Sequence, residues 1–288
     1  YDIIGKSQSI EKVKSLINKL KNAESRIFIS GPPGSGKELV ARQIHKQSTR
    51  STKPFIVVNG ALLDPQKYEL ELFGSENINE TTNFGFFEQA RDGTLLIDEV
   101  TEIPLETQAK ILRVLIDQKF KRVNGSKEIN VNVRIISTSS KNIREEVDKG
   151  NFREDLYHRL NVFSINIDSL SERMEDIPLL VDYFLKHMCM NYNIKIFSIH
   201  DNSYLLNYSW PGNVRELRNL IERVVILSQG QSEQQVLNVI KESISTKSSD
   251  NSFSISDSLS IPLREARENF EKEYLTTQLK KFSGNISK

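Results

Sequence analysis

The run Gly31-Pro32-Pro33-Gly34-Ser35-Gly36-Lys37 has the residue types needed to hold phosphate. Glycine lets the backbone wrap close to an anion, and successive N–H groups form a nest for negative charge. A G-x-x-x-x-G-K pattern does this when it links a strand to a helix. The flanks fit: Arg26–Ser30 is a short apolar strand, and Glu38–Lys46 places Leu39, Val40 and Ile44 at helical spacing. The positive end of that helix adds to the attraction, and Lys37 is placed to reach β- and γ-phosphates. Glu38 stands where a hydroxyl residue usually helps hold Mg²⁺.

A second cluster lies at Thr94-Leu95-Leu96-Ile97-Asp98-Glu99, an apolar strand ending in two carboxylates. Asp98 suits a Mg²⁺ ion, directly or through water, and Glu99 suits polarising an attacking water. Neighbours on a strand face opposite ways, so the two need not share a task. Taken alone, the pair reads equally well as a turn or helix cap; the phosphate loop upstream selects the chemical reading. His45, His158, His187 and His200 show no metal-ligand spacing. Trp210 reads as a packing anchor and Cys189 as a core thiol.

These groups need a scaffold. Helical periodicity covers residues 9–21 and Leu105 to Gln118, and strand-like runs fall at Phe55–Val58, Thr94–Ile97 and Val133–Ile136. Continuous apolar strands alternating with helices predict a parallel sheet covered on both faces, an α/β fold. Beyond residue 166 strands cease. Asp176-Ile177-Pro178 reads as a helix start with Asp176 as N-cap, and a further helix spans about Asn213 to Leu227. The expected division is 1–166 α/β nucleotide-binding subdomain, 167–240 helical lid, 241–262 serine-rich linker, and a last segment 263–288 that opens with an amphipathic helix over Leu263 to Phe282.

Apolar residues at 38% and charged ones at 27% suit a globular chain with a real core. The formal net charge of +1 offers no global field for nucleic acid or membrane. No apolar run reaches membrane-spanning length, and a single cysteine excludes an internal disulfide, so a reducing, cytoplasmic setting is expected. The start at Tyr1 lacks Met and signal-peptide character, which suggests a piece of a longer protein.

The motifs together resemble the central AAA+ domain of bacterial enhancer-binding proteins, ATPases that act with sigma-54 RNA polymerase. The resemblance rests on Gly31–Glu38, Glu71-Leu-Phe-Gly74, Phe87-Glu-Gln-Ala90, Gly93–Glu99, Phe152–Asn161, Leu170–Ile177 and Trp210–Leu217. Glu after the loop lysine is characteristic of that family. The resemblance implies an AAA+ P-loop NTPase, a parallel αβα sandwich with a C-terminal helical lid, using ATP and Mg²⁺ and working as a ring, usually a hexamer. A dimer is the alternative assembly. It implies that Ile4, Gly5, Leu39 and Arg215 join Gly31, Pro32, Pro33, Gly34, Ser35, Gly36, Lys37, Glu38, Asp98 and Glu99 in holding nucleotide. Arg153 and Arg159 resemble arginines that reach a neighbour's γ-phosphate, Arg215 the sensor II arginine, and Asn59 the asparagine that restrains the Walker B glutamate.

Two positions depart from the family pattern. Residues 77–84 read Asn-Ile-Asn-Glu-Thr-Thr-Asn-Phe where sigma-54 activators carry a GAFTGA loop. Ser140 stands at the sensor I asparagine, with a shorter donor. The tail, Pro262–Leu275 then Gly284–Ser287, resembles the start of the Fis-type helix-turn-helix of NtrX-type response regulators. That likeness implies a receiver domain upstream answering an NtrY-type histidine kinase, and promoter DNA bound through a recognition helix downstream. Two outputs stay open: an ATPase engine of such a regulator, or a DNA-bound regulator that uses nucleotide as an assembly switch, without sigma-54 contact.

Overall fold

A computed structural model describes residues 2–64, 67–76, 82–195, 197, 199, 203–227 and 233–250. In chain order the elements are α1 (Gln8–Leu20), β1 (Ile27–Ser30), α2 (Lys37–Lys46), β2 (Phe55–Asn59), α3 (Tyr68–Phe73), β3 (Gly74–Ser75), β4 (Asn83–Phe84) and α4 (Phe86–Gln89). Then come β5 (Thr94–Asp98), α5 (Leu105–Asp117), β6 (Lys119–Lys121), β7 (Glu128–Asn130), β8 (Arg134–Ser139), α6 (Ile143–Asp148), α7 (Glu154–Leu160) and β9 (Phe163–Asn166). The helical part holds α8 (Ile177–Asn191), α9 (Ser203–Leu206), α10 (Asn213–Leu227) and α11 (Glu233–Asp250).

The main sheet runs β2-β5-β8-β1-β9, parallel throughout. Strand alternation divides the core between its faces. Phe28, Leu95, Ile97 and Ile135 pack on one side with residues of α5 and α7. Ile27, Ile29, Leu96, Ile136 and Ile165 pack on the other with α1 and α2. Such two-sided burial is what a parallel sheet requires, and it leaves chemistry to the strand ends.

Two strands differ from the sequence expectation. β8 continues to Ser139, because Ser137, Thr138 and Ser139 are buried between β1 and β5 despite their polarity. β9 pairs with β1 from Ile27↔Phe163 to Ser30↔Asn166, and with only Ile165 buried it has no continuous apolar run to mark it. The short β3–β4 pair brackets the polar loop; residues 77–81 within it lie outside the described residues.

The chain divides into two units, 1–229 and 230–288. In the first, α8 packs against α10 through Leu180, Val181 and Leu185 facing Leu217, Ile221 and Val224. Asp176 precedes α8 but makes no cap hydrogen bond; its carboxylate is engaged elsewhere, which corrects the N-cap expectation. The second unit contributes α11, with Val236, Ile240 and Ser243 buried at helical spacing. It runs to Asp250, so helix occupies the first part of the expected linker 241–262: serine weakens a helix without breaking it. The helix expected over 263–282 lies outside the described residues. Among those described, no helix is long and apolar enough to cross a membrane.

Candidate functional site

The phosphate-loop residues connect β1 to α2 at the C-terminal edge of the sheet. Gly31 N–H donates to the Ser139 carbonyl at 3.3 Å, tying the loop to the end of β8. Gly34 has φ +75°, and a Cβ there would lie 2.3 Å from the Gly212 carbonyl oxygen, so only glycine fits beneath α10. Gly36 has φ +106° and opens on free space, with nothing within 4 Å of where a Cβ would point. Ser35 Oγ is buried and has no hydrogen-bond partner among the described residues. An open cradle with an orphaned buried hydroxyl fits a polyatomic anion.

Three donors grip this loop from the helical side. Arg173 Nη2 donates to Ser35 O at 3.0 Å, Asn213 Nδ2 to Pro33 O at 3.0 Å, and Arg215 N–H to Gly34 O at 3.2 Å. Arg215 thus meets the loop through its backbone while its side chain is exposed. On the same helix, Glu216 accepts Gly212 N–H and the Tyr208 hydroxyl, and Glu222 accepts the Tyr192 hydroxyl.

Lys37, at the start of α2, is buried, and its Nζ donates to Gly31 O at 2.9 Å and to Ser140 Oγ at 2.6 Å. The same ammonium lies 3.2 Å from Glu99 Oε1. Ser140 in turn donates to both oxygens of Glu99, from its backbone N–H at 2.8 Å and from its hydroxyl. Burial pushes the Glu99 carboxyl up, but the Ser140 bonds and the Lys37 charge outweigh it and hold the group below its ordinary range. Glu99 adopts φ 53°, a left-handed backbone that turns it away from Asp98.

Asp98 belongs to a separate network. Thr138 Oγ1 donates to its Oδ1 at 2.6 Å and accepts the Glu99 N–H at 3.0 Å. Asn59 Nδ2 donates to Asp98 Oδ2 at 2.9 Å. Asn59 thus meets Asp98 here and not Glu99, the carboxylate it was expected to restrain. The reason is register: Asn59 and Asp98 are Cα partners across β2 and β5, whereas Glu99 has already left the strand. Burial raises the Asp98 carboxyl above its ordinary value, with Glu99 and Glu38 adding to the rise. Among the described residues, no three His, Cys, Asp or Glu side chains converge as a metal cluster.

Beside the loop lies a cavity of about 630 Å³ lined by Ile4, Gly36, Leu39, Tyr183, Val214 and Arg218, among others. Glu38 lines it too, paired with Arg42 at 2.7 Å. Its apolar walls and basic rim suit a flat heterocycle attached to phosphate. Gly5 does not line the cavity. A Cβ on Gly5 would lie 2.8 Å from the Asp176 carboxylate, which accepts Lys6 N–H at 2.6 Å, Ser7 N–H at 2.8 Å and Ser7 Oγ at 2.6 Å. Asp176 therefore pins the segment that carries Ile4.

Arg153 and Arg159 are not brought to this cluster. Arg153 forms a paired contact with Asp155, Nε–Oδ1 3.0 Å and Nη2–Oδ2 2.7 Å, and both arginines are exposed around α7. Trp210 is buried with Nε1 donating to Leu205 O at 2.8 Å, and Cys189 is buried within α8, as expected. Sequence reasoning missed Thr138, Asp176, Arg173, Asn213 and Arg218. Arg173, Asp176 and Asn213 lie within the motif blocks Leu170–Ile177 and Trp210–Leu217, whereas Thr138 is placed opposite Asp98 only by strand register, next after the pair Ile97↔Ser137.

Comparison with known proteins agrees with this geometry. Residues 3–166 match the Sigma-54 interaction domain family, and residues 171–252 match the AAA+ ATPase lid domain. The chain is 40% identical over 294 residues to the nitrogen assimilation regulatory protein NtrX of Azorhizobium caulinodans, covering all of this chain and 65% of that protein. It is 44% identical over 299 residues to a putative response regulator NtrX-like of Rickettsia typhi, covering 62% of it. The chain thus spans less than two thirds of the length of these relatives. Crystal structures of NtrX from Brucella abortus superpose with TM-scores of 0.80 in complex with ADP (43% identity) and 0.77 in complex with ATP (42% identity). Those alignments cover 99% and 100% of this chain and 64% of each matched chain. With the phosphate loop, the two carboxylates and the lid in this arrangement, the chain belongs to the Sigma-54 interaction domain family of AAA+ ATPases.

Proposed function

We propose that the chain is the ATP-binding and ATP-hydrolysing module of an NtrX-like response regulator that controls transcription. The observation that carries the proposal is the convergence of Lys37, Ser140, Glu99 and Asp98 beside an open glycine cradle at the C-terminal ends of β1, β5 and β8. Residues 31–37 hold the phosphates, and the cavity beside Ile4 and Leu39 takes the base. Lys37 neutralises charge on the β- and γ-phosphates. Glu99 accepts a proton from the attacking water, and Asn59 and Thr138 aim Asp98. Asp98 is the residue that would hold Mg²⁺. When bound, Mg²⁺ neutralises phosphate charge.

Arg153 and Arg159 stand apart from the site of their own chain, so they serve a neighbour's γ-phosphate, and turnover requires assembly into a ring. Arg215 adjusts the lid against the loop it already touches. In the longer regulator, this module works between a phosphorylation input from a histidine kinase and promoter DNA. A second reading keeps nucleotide as an assembly switch with little hydrolysis and no sigma-54 contact. It is favoured by the engagement of both Glu99 oxygens and by the polar 77–84 segment.

ATP turnover per chain, measured against protein concentration, separates the two. The ATPase reading expects turnover that rises on assembly and falls about 100-fold or more in Glu99→Gln while nucleotide binding persists. Binding without turnover at any concentration leaves the switch. Failure to bind ATP or ADP at all overturns both.

A further inference from the structure

A second cavity, of about 600 Å³, meets the other end of the phosphate loop: Gly31 and Pro32 wall it, whereas Ser35 and Gly36 wall the one beside Leu39. Ser140 joins them there, and both Gly31 and Ser140 hold Lys37 Nζ, at 2.9 and 2.6 Å. The cavity thus begins where the last phosphate of a triphosphate would reach Lys37. It continues between the ends of β1 and β9 and the helices α6 and α7, past Lys141, Arg144, Tyr157, Asn161 and Asn166. Arg144 and Asn166 are exposed, so it opens to solvent.

Its charge is one-sided. The described residues that line it include two cations and no carboxylate. Lys141 is shared with Glu102 at 2.8 Å, but the Arg144 guanidinium has no partner among the described residues. The Tyr157 hydroxyl accepts the Asn161 amide at 2.9 Å and keeps its own proton to give. Two carboxylates close in sequence, Glu145 and Asp168, are each taken up by an amide, Asn142 Nδ2 and Asn166 Nδ2, both at 3.0 Å. Unspent donors with no competing negative charge select an oxyanion over a cation or a base, and a guanidinium fork matches its oxygens.

We propose that this cavity is a subsite for inorganic phosphate, which occupies it on leaving the loop while the diphosphate stays bound. The part in release rests on the ATPase reading; the subsite itself does not. Phosphate formed beside Glu99, which Ser140 and Lys37 keep ionised, is pushed from that carboxylate by like charge. The side walled by Gly31 and Ser140 leads to Arg144 without crossing the cavity that takes the base.

Titrating inorganic phosphate into the whole chain saturated with ADP tests this by calorimetry, with sodium chloride at matched ionic strength as the control. Phosphate should bind with ADP in place, and Arg144→Ala should weaken it about fivefold, the size of one hydrogen bond to a charged group. Tyr157→Phe should weaken it as well. Neither substitution should change ADP affinity more than about twofold, since both lie apart from the residues that hold the diphosphate. A slowly hydrolysed ATP analogue in place of ADP fills the terminal-phosphate position. Phosphate should still bind beside it, with the same sensitivity to Arg144→Ala. Binding that vanishes with the analogue, or that ignores Arg144→Ala, overturns the proposal, as does no phosphate binding with ADP bound. Phosphate binding as expected in a chain that turns over no ATP keeps the subsite and sinks the ATPase reading, so the two failures are distinct.

Discussion

Replacing Asp176 with alanine removes the buried carboxylate that joins the first residues of the chain to the start of α8. It is fully buried and accepts three hydrogen bonds, from Lys6 N–H, Ser7 N–H and Ser7 Oγ, across some 170 residues of sequence. Arg173, itself buried, lies 3.9 Å away. Burial lowers the Arg173 guanidinium, and the Asp176 and Asp168 charges oppose that drop. Deleting Asp176 strands these donors and leaves a buried cation short of its compensating charge, a loss of about 3–5 kcal/mol. For a unit of this size each kcal/mol moves Tm by about 2–4 °C, so Tm should fall by roughly 10 °C. Asp176→Asn keeps one acceptor and should lose less. Because the freed segment carries Ile4 of the cavity wall, nucleotide affinity should fall with stability. Thermal unfolding by circular dichroism, with and without ADP, reads both. A Tm change under about 2 °C would refute the reasoning, since it would mean that these hydrogen bonds are replaced by water at no cost.

Other expectations follow from the same geometry. Gly34→Ala places a Cβ 2.3 Å from the Gly212 carbonyl at φ +75°, so it should cost at least about 2 kcal/mol in urea unfolding and weaken ADP binding. Glu99 is held below its ordinary value near 4.5, so its stabilisation is present above that pH and lost as pH falls through the lowered value. The stability advantage of the parent over Glu99→Gln should therefore shrink as pH falls below about 4.5. Asp98 runs the opposite way: its raised value favours the protonated form, and its contribution is lost as pH rises through that value. Asp98→Asn should gain on the parent as pH rises above about 3.8, in the same unfolding experiment.

Much of this was legible in the residue order. Local chemistry marked the phosphate loop: three glycines and a lysine between an apolar strand and a helix have few other uses. The strand ending in Asp98 and Glu99 was equally plain. The contacts that join distant segments were not. Asp176 looked like an ordinary N-cap, because Asp before Ile-Pro commonly caps, yet its partners lie at Lys6 and Ser7. Thr138 was concealed in a serine- and threonine-rich run whose burial in the sheet centre is a tertiary fact. That Asn59 meets Asp98 was also hidden, because strand register, not sequence spacing, decides which side chain it meets. That Arg218 lines the cavity while Arg215 meets the loop through its backbone N–H also depends on how α10 lies over the loop.

The central claim is that the site hydrolyses ATP only when a neighbouring chain completes it. The direct measurement mixes two inactive variants, Lys37→Ala, which lacks the phosphate lysine, and Arg159→Ala, which keeps its own site intact. Turnover of the mixture should exceed the sum of the separate turnovers, because interfaces form in which an intact site receives an intact Arg159. Activity no greater than that sum, in a mixture shown to co-assemble, would contradict the shared site.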